Sequence, residues 1–189
     1  MARSAIAAIR YSIDTRASQF TVQAFANGLI SSIAHSPKIA IRDWSGDVQT
    51  GESLEDLSLR VRLKTASLEV LDELRDSDRQ ALHRVMNQDV LETTRFPEVV
   101  FQSFETHADK LREDLYRLKT QGKLALHGVS NDHSFIAQVS VGADTARAYG
   151  EFTIRQSDYG IRIASIAGGN LKLRDELKFS FYVLARKQP

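Results

Sequence analysis

The 189-residue sequence contains no cysteine, only three prolines and only ten glycines. Without cysteine, the protein cannot form a disulfide scaffold, use thiol catalysis, or hold an iron–sulfur cluster or a cysteine-based zinc ion. Its 42% hydrophobic and 26% charged residues exclude disordered, collagen-like and membrane-spanning classes. A chain of this length can close one sizeable core, so we expect a single domain over residues 1–189.

The sequence also has no excess of positive or negative charge. The sequence has 25 basic and 24 acidic residues, which gives a formal net charge of +1. No field of the whole protein therefore attracts nucleic acid or an acidic membrane surface. We expect no nucleic-acid partner and favour a neutral or amphiphilic one.

Long hydrophobic runs are absent. Near the start, the apolar stretch from Ala5 to Ile9 has five residues, whereas a secretory signal needs roughly 7–15. No window approaches the ~18 apolar residues of a membrane span. The sequence thus predicts no integral membrane segment. For the sequence as it stands we expect a cytoplasmic location, or a periplasmic one if a native signal has been removed.

Recognisable catalytic and cofactor motifs are missing as well. The sequence contains no H-E-x-x-H zinc motif, no G-x-S-x-G nucleophile elbow and no phosphate-binding P-loop. Its five histidines are explained best as surface or hydrogen-bonded residues. We therefore expect no metal, no cofactor and no enzymatic activity.

The main signal that is present is a period-two alternation of apolar and polar residues. In segment 57–64 every odd position is apolar and every even position is polar, which is typical of a strand with one buried face. Phe20, Val22 and Ala24 begin another such segment. Further strands are predicted at residues 39–41, 99–104, 115–120, 124–126, 135–141, 148–154, 161–166 and 177–185.

One segment has helical spacing instead. Ser77 and Gln80 form a capping box, and apolar residues then recur every three or four positions up to Leu91. The pattern stops before Phe96-Pro97, because proline disfavours continued helix. Many short strands with a single inserted α-helix predict one all-β domain, either a barrel or a sandwich.

The aromatic residues leave two interpretations open. Phe20, Trp44, Phe101, Phe152 and Tyr159 all lie in or beside apolar strands. They would fill an ordinary core. A closed eight-stranded sheet, however, encloses an interior just wide enough for side chains or for one small ligand, so the same residues could line a cavity.

Four stretches in the same order resemble the YceI-like family of polyisoprenoid-binding proteins. They are the opening strand with Tyr11-Ser-Ile-Asp14 and Ser18, the strand entry Phe96-Pro-Glu-Val-Val-Phe101, the segment Gly122-Lys-Leu-Ala-Leu-His-Gly-Val129, and Ser157-Asp-Tyr-Gly-Ile161. The resemblance extends from about Tyr11 to Ala185. It implies an eight-stranded antiparallel, lipocalin-like β-barrel with one inserted α-helix.

The resemblance also implies a function. A non-catalytic carrier would bind a lipid-like ligand, of polyisoprenoid or fatty-acid type, in an apolar barrel cavity. The implied wall residues are Phe20, Val22, Trp44, Phe101, Leu124, Leu126, Phe152 and Tyr159. The implied residues at the cavity mouth are His35, Arg155 and Asp158. The chain departs from the family at Ala17, where histidine is frequent, and in the 154–160 run, which lacks the family's arginine in its usual place.

Two other functions stay open. A structural or interaction protein, with its barrel filled by side chains, would act through its outer surface or a dimer face. A lipid-ester hydrolase would use a His/Asp pair such as His127 with Asp158. The oligomeric state is left open, with a homodimer among the options.

Overall fold

A computed structural model describes residues 8–27, 37–163, 165–166 and 171–189, and β-strands dominate this part of the chain. Twelve strands are described, in this order: β1 Ile9–Ile13, β2 Gln19–Asn27, β3 Lys38–Ile41, β4 Trp44–Thr50, β5 Ser58–Lys64, β6 Leu68–Val70, β7 Glu98–Arg112, β8 Leu115–Leu126, β9 Val129–Val141, β10 Thr145–Arg155, β11 Ser165–Ile166 and β12 Leu171–Lys187. One helix, α1, spans Asp76–Arg84 and continues as a wider helical turn over Val85–Val90.

Eight of the strands close into an antiparallel barrel. The strands β1, β4, β5, β7, β8, β9, β10 and β12 are hydrogen-bonded in this order, and β12 pairs back with β1. Strands β2, β3 and β6 extend the same wall beyond one end of this ring. The predicted eight-stranded barrel with one inserted helix is confirmed.

The opening strand bends between β1 and β2, and Ser18 holds the bend. The long strand β12 pairs with β2 along most of its length and with β1 only near its end. Ser18 lies between the two pairings, where its hydroxyl donates to the Asp14 carbonyl at 2.6 Å and accepts from the Leu184 amide at 2.9 Å. A side chain thus replaces a ladder hydrogen bond where the two backbones diverge.

The β8–β9 hairpin has a two-residue turn. Leu126 pairs with Val129, so His127 and Gly128 are the two loop residues. Their φ angles are 51° and 79°. Two consecutive positive φ values define the turn type whose twist matches that of the flanking strands. The turn predicted at Gly128 is confirmed.

The helix begins differently from the prediction. It begins at Asp76, and its N-cap residue is Arg75, without a side-chain capping bond. The capping box of Ser77 and Gln80 is therefore wrong, because Ser77 already lies inside the first turn. Asp76 and Asp78 stabilise this end through the helix dipole.

The strand predicted over 161–166 is also only partly correct. Residues 161–163 have no regular structure, and the described strand here is the two-residue β11. The chain leaves the barrel wall at Tyr159 and Gly160, where Gly160 ends a short helical turn with a φ of 65°. A left-handed glycine at this position redirects the backbone, so the apolar Ile161 enters the core from a loop.

Candidate ligand-binding cavity

The interior of the barrel contains an apolar cavity of about 190 Å³. Most of its wall is formed by inward-facing residues of the eight ring strands, because successive side chains on a strand point to opposite faces. Phe20 of β2 and two leucines between β4 and β5, Leu54 and Leu57, complete it. On β9, for example, Phe135, Ala137 and Val139 line the cavity, whereas Ile136 between them is 52% exposed on the outer face. We call this space the barrel cavity.

A second apolar cavity of about 120 Å³ lies between the end of the barrel and the helix. Leu82, Val85 and Met86 close it from the helix side. We call it the helix-side cavity. Four residues line both cavities, so the two spaces adjoin each other: Leu63, Val99, Leu126 and Phe179.

The inward-facing side chains do not fill the barrel. Thr120 is the largest side chain in the described part of the chain that is less than 2% exposed. A solid core of this size would contain many large apolar side chains with no accessible surface. Instead the inward-facing Phe135, Phe152, Phe179 and Phe181 are only partly buried. Of the two interpretations of the aromatic residues, the structure therefore favours the hollow one.

Aromatic rings form a connected lining on one side of the barrel cavity. Phe152 and Phe179 stack at 4.9 Å with an angle of 3° between their planes, and Phe135 contacts Phe152 at 5.8 Å. Phe181 links Phe135 to Phe20, which in turn meets Trp44 edge-on at 4.8 Å. Rings that pack against each other are held rigid, so the cavity surface is preformed.

Two glycines make room for these rings. A Cβ at Gly122 would lie 2.4 Å from Cζ of Phe101 and 2.4 Å from the Gln102 carbonyl oxygen. A Cβ at Gly150 would lie 2.7 Å from Cζ of Phe181. Both rings therefore lie against bare backbone of the wall. Sequence reasoning did not identify either glycine as part of the site, because neither lies at a turn.

The barrel cavity has few polar groups, and most of these are satisfied by the protein. Thr50 donates to the Ser53 carbonyl at 2.7 Å, and Thr106 is 3.4 Å from the Thr120 hydroxyl. His133 is different. Its Nε2 atom is buried and has no hydrogen-bond partner in the described structure, and burial lowers the pKa of its imidazole.

The wall residues implied by the family resemblance lie in three places. Six of them line the barrel cavity: Phe20, Trp44, Phe101, Leu124, Leu126 and Phe152. Val22 lines the helix-side cavity. Tyr159 is 3% exposed and packs in the apolar cluster with Leu124 and Ile161, but it lines neither cavity.

Of the residues implied for the mouth, the two that the structure describes do not line the barrel cavity. Arg155 and Asp158 are exposed and line a polar groove of about 690 Å³ on the outside of the barrel, together with Tyr159. We call it the outer groove. His35 lies outside the described residues.

The histidine suggested for hydrolysis faces groups other than Asp158. Nδ1 of His127 is 3.3 Å from the Tyr159 carbonyl oxygen, and Nε2 is 3.4 Å from Oε1 of Glu92. The pKa of Glu92 is lowered by its hydrogen bond from Arg95. His127 thus lies between Tyr159 and Glu92, and neither of its ring nitrogens is recorded in contact with Asp158.

Metal-binding clusters and membrane-spanning helices can be assessed for the described ranges of the chain only. Within them, no three histidine, aspartate or glutamate side chains converge on a point that could hold a metal ion. No helix found there has the length and apolar character needed to cross a bilayer.

Comparisons with known proteins agree with this architecture. The family model described as the YceI-like domain matches residues 11–185. No curated protein sequence matches the chain. Similar solved structures include BcnA of Burkholderia cenocepacia, which is 15% identical, with a TM-score of 0.68 over 91% of this chain and 98% of that one.

Two other solved structures are similar over most of their length. One is a polyisoprenoid binding domain from Saccharophagus degradans implicated in plant cell wall breakdown (13% identity, TM-score 0.68, covering 94% of this chain and 98% of that one). The other is the YCEI protein of Campylobacter jejuni (19% identity, TM-score 0.62, covering 82% and 88%). At such identities the likeness shows a shared fold.

Proposed function

Because the chain belongs to the YceI-like family, we propose that its barrel is a non-catalytic carrier for a lipid-like ligand of polyisoprenoid or fatty-acid type. The observation that carries this proposal is the hollow, apolar interior formed by the adjoining barrel and helix-side cavities. Together the two cavities reach the lower end of the ~300–1,000 Å³ range of ligand sites. The neighbour from Saccharophagus degradans, named as a polyisoprenoid binding domain, gives independent support.

The shape and chemistry of the interior suit a hydrocarbon tail. Each CH₂ group removed from water contributes about 0.8 kcal/mol, so ten buried carbons contribute about 8 kcal/mol before the cost of association is subtracted. A tail can therefore bind without any polar contact along most of its length. A compact polar metabolite would instead leave its hydrogen-bonding groups unpaired against the phenylalanine lining.

The helix supplies one end of the proposed binding space. A tail that lies along the barrel cavity would pass Leu126 and enter the helix-side cavity, where Leu82 and Met86 contact it. At this end Nε2 of His127, in the β8–β9 turn, lies 3.4 Å from Oε1 of Glu92, just beyond the helical segment. In this proposal the helix is a wall of the binding site.

A titration followed by tryptophan emission tests the proposal. Trp44 is the only tryptophan, lines the barrel cavity and is 7% exposed, so its emission reports on occupancy of that cavity. Delipidated protein titrated with geranylgeraniol, a prenyl alcohol, is expected to show saturable binding of one molecule per chain. No change in emission and no heat in a parallel calorimetric titration would refute the carrier function.

A further inference from the structure

The seam between β9 and β10 is open at one end. Their hydrogen-bonded ladder ends at the pair Ile136 and Glu151, although both strands continue beyond it. The same register, extended, places His133 opposite Ile154. These two residues line both the barrel cavity and the outer groove. They are thus the partition between the apolar interior and a polar surface groove.

His133 offers an unused hydrogen-bonding atom at this partition. It lies two residues from Phe135, in the inward-facing register of β9, and its ring packs on Phe152 with 5.0 Å between ring centroids. Its Nε2 is buried without a partner. Buried polar atoms in native structures are nearly always paired. In the described part of the chain, Asn87 Oδ1 and His127 Nε2 also lack a hydrogen-bond partner, but of these three residues only His133 lines the barrel cavity, where a bound molecule could supply the partner. Burial lowers the pKa of the ring and so favours its neutral form, which has one donor and one acceptor nitrogen.

The charged side chains of the outer groove determine which kind of head group could reach Nε2 of His133. Its carboxylates are Asp132, Asp158 and Glu176, and its cation is Arg155. Asp132 is paired with Lys123 at 2.6 Å, which still leaves more carboxylates than cations. An anionic head group would face net repulsion here. An uncharged group that forms hydrogen bonds would not.

We infer that the β9–β10 seam is the head-group site of the ligand, where His133 Nε2 hydrogen-bonds an uncharged hydroxyl or carbonyl group whose tail lies in the barrel cavity. This inference rests on the proposed function and adds a class of head group to it. His133 is here a specificity-determining residue.

Calorimetry with three probes that share one tail tests this inference. Farnesol carries a hydroxyl, farnesene carries no polar group, and farnesyl diphosphate carries an anionic head. We expect the unmodified protein to bind farnesol about tenfold more tightly than farnesene, as one recovered hydrogen bond to a buried atom provides. We expect the diphosphate to bind more weakly than farnesol.

Two substitutions of His133 isolate the contribution of its ring nitrogens to the preference for farnesol over farnesene. His133→Phe keeps a planar ring and removes both nitrogens, so farnesol and farnesene should then bind within about twofold of each other. His133→Gln keeps a hydrogen-bonding group and should restore part of the preference. His107→Phe is the matched control, because the His107 side chain is 67% exposed on the outside, and it should leave the preference unchanged.

The outcomes separate the inference from the proposed function. Failure of all three probes to bind the unmodified protein would refute the carrier itself. Equal binding of farnesol and farnesene, a preference that survives His133→Phe, or tightest binding of the diphosphate would each overturn the seam site alone. If His133→Phe does not fold, the ¹⁵N shift of the His133 imidazole decides: farnesol must move it and farnesene must not.

Discussion

Replacing Leu126 by tryptophan tests whether the interior is hollow. Leu126 is 6% exposed and lies between the barrel cavity and the helix-side cavity. In a solid core, inserting the larger side chain would cost ~1–3 kcal/mol or more, because neighbours must leave their rotamers. Here the adjoining spaces of about 190 Å³ and 120 Å³ receive the extra atoms. We therefore expect the free energy of unfolding to fall by less than about 1 kcal/mol.

The same substitution should abolish binding. The tryptophan side chain has six more heavy atoms than the leucine side chain and would displace up to about six ligand carbons, each worth ~0.8 kcal/mol, or about 5 kcal/mol at most. A loss of at least a hundredfold in affinity for geranylgeraniol is expected, since about 2.7 kcal/mol corresponds to that factor. Calorimetry is the assay, because the second tryptophan obscures Trp44 emission. A urea midpoint gives the stability.

Ile136→Trp is the matched control for this experiment. Ile136 lies on the same sheet with its side chain 52% exposed on the outer face, so an indole there should change neither stability nor binding. Strong destabilisation by Leu126→Trp with binding unchanged would mean that the barrel is filled at this level. That result would refute the reasoning about the cavity.

Three further predictions follow from the fold and the wall. The far-UV circular dichroism spectrum should be dominated by strand, and a helix content above about one third would contradict the barrel. Gly122→Ala should destabilise the protein by ~1–3 kcal/mol in a urea titration, because its Cβ meets Phe101 and the Gln102 carbonyl, whereas Gly142→Ala, with 3.4 Å to its nearest neighbour, should be neutral. The pKa of His133 is lowered from 6.5 by burial, so the unfolded chain binds the proton first and stability should fall as pH drops through about 6.5. His133→Phe should remove that component of the urea midpoint measured from pH 7.5 to pH 5, and an identical pH profile in both proteins would contradict it.

The barrel could be predicted wherever one face of a strand is buried and the other is in water. Segment 57–64 has this alternation, and the structure has β5 at Ser58–Lys64. The ends of strands were predicted less well where the alternation of apolar and polar residues weakens. Strand β7 continues to Arg112, well beyond the predicted end at residue 104. The residues that its later part turns to the interior are Thr106 and the small Ala108, so no strong apolar alternation marks it in the sequence.

The cavity wall was predictable in part, for a related reason. A strand pattern indicates which side chains face inward, and it left aromatic residues such as Trp44 and Phe152 open between a filled core and a cavity wall. The family resemblance implied the wall, and both residues line the barrel cavity. It does not indicate where two strands separate. The roles of His133, Gly122 and Gly150 depend on neighbours from distant segments, so they became visible only once the strands were in register.

The most direct test of the central claim is to identify what the barrel contains. Protein purified gently, without detergent, should yield one lipid-like molecule per chain when its organic extract is analysed by mass spectrometry, and native mass spectrometry should show the same mass on the intact chain. Leu126→Trp, purified in parallel, should yield none. Recovery of no lipid from the unmodified protein, together with no uptake of geranylgeraniol by it, would contradict the carrier function.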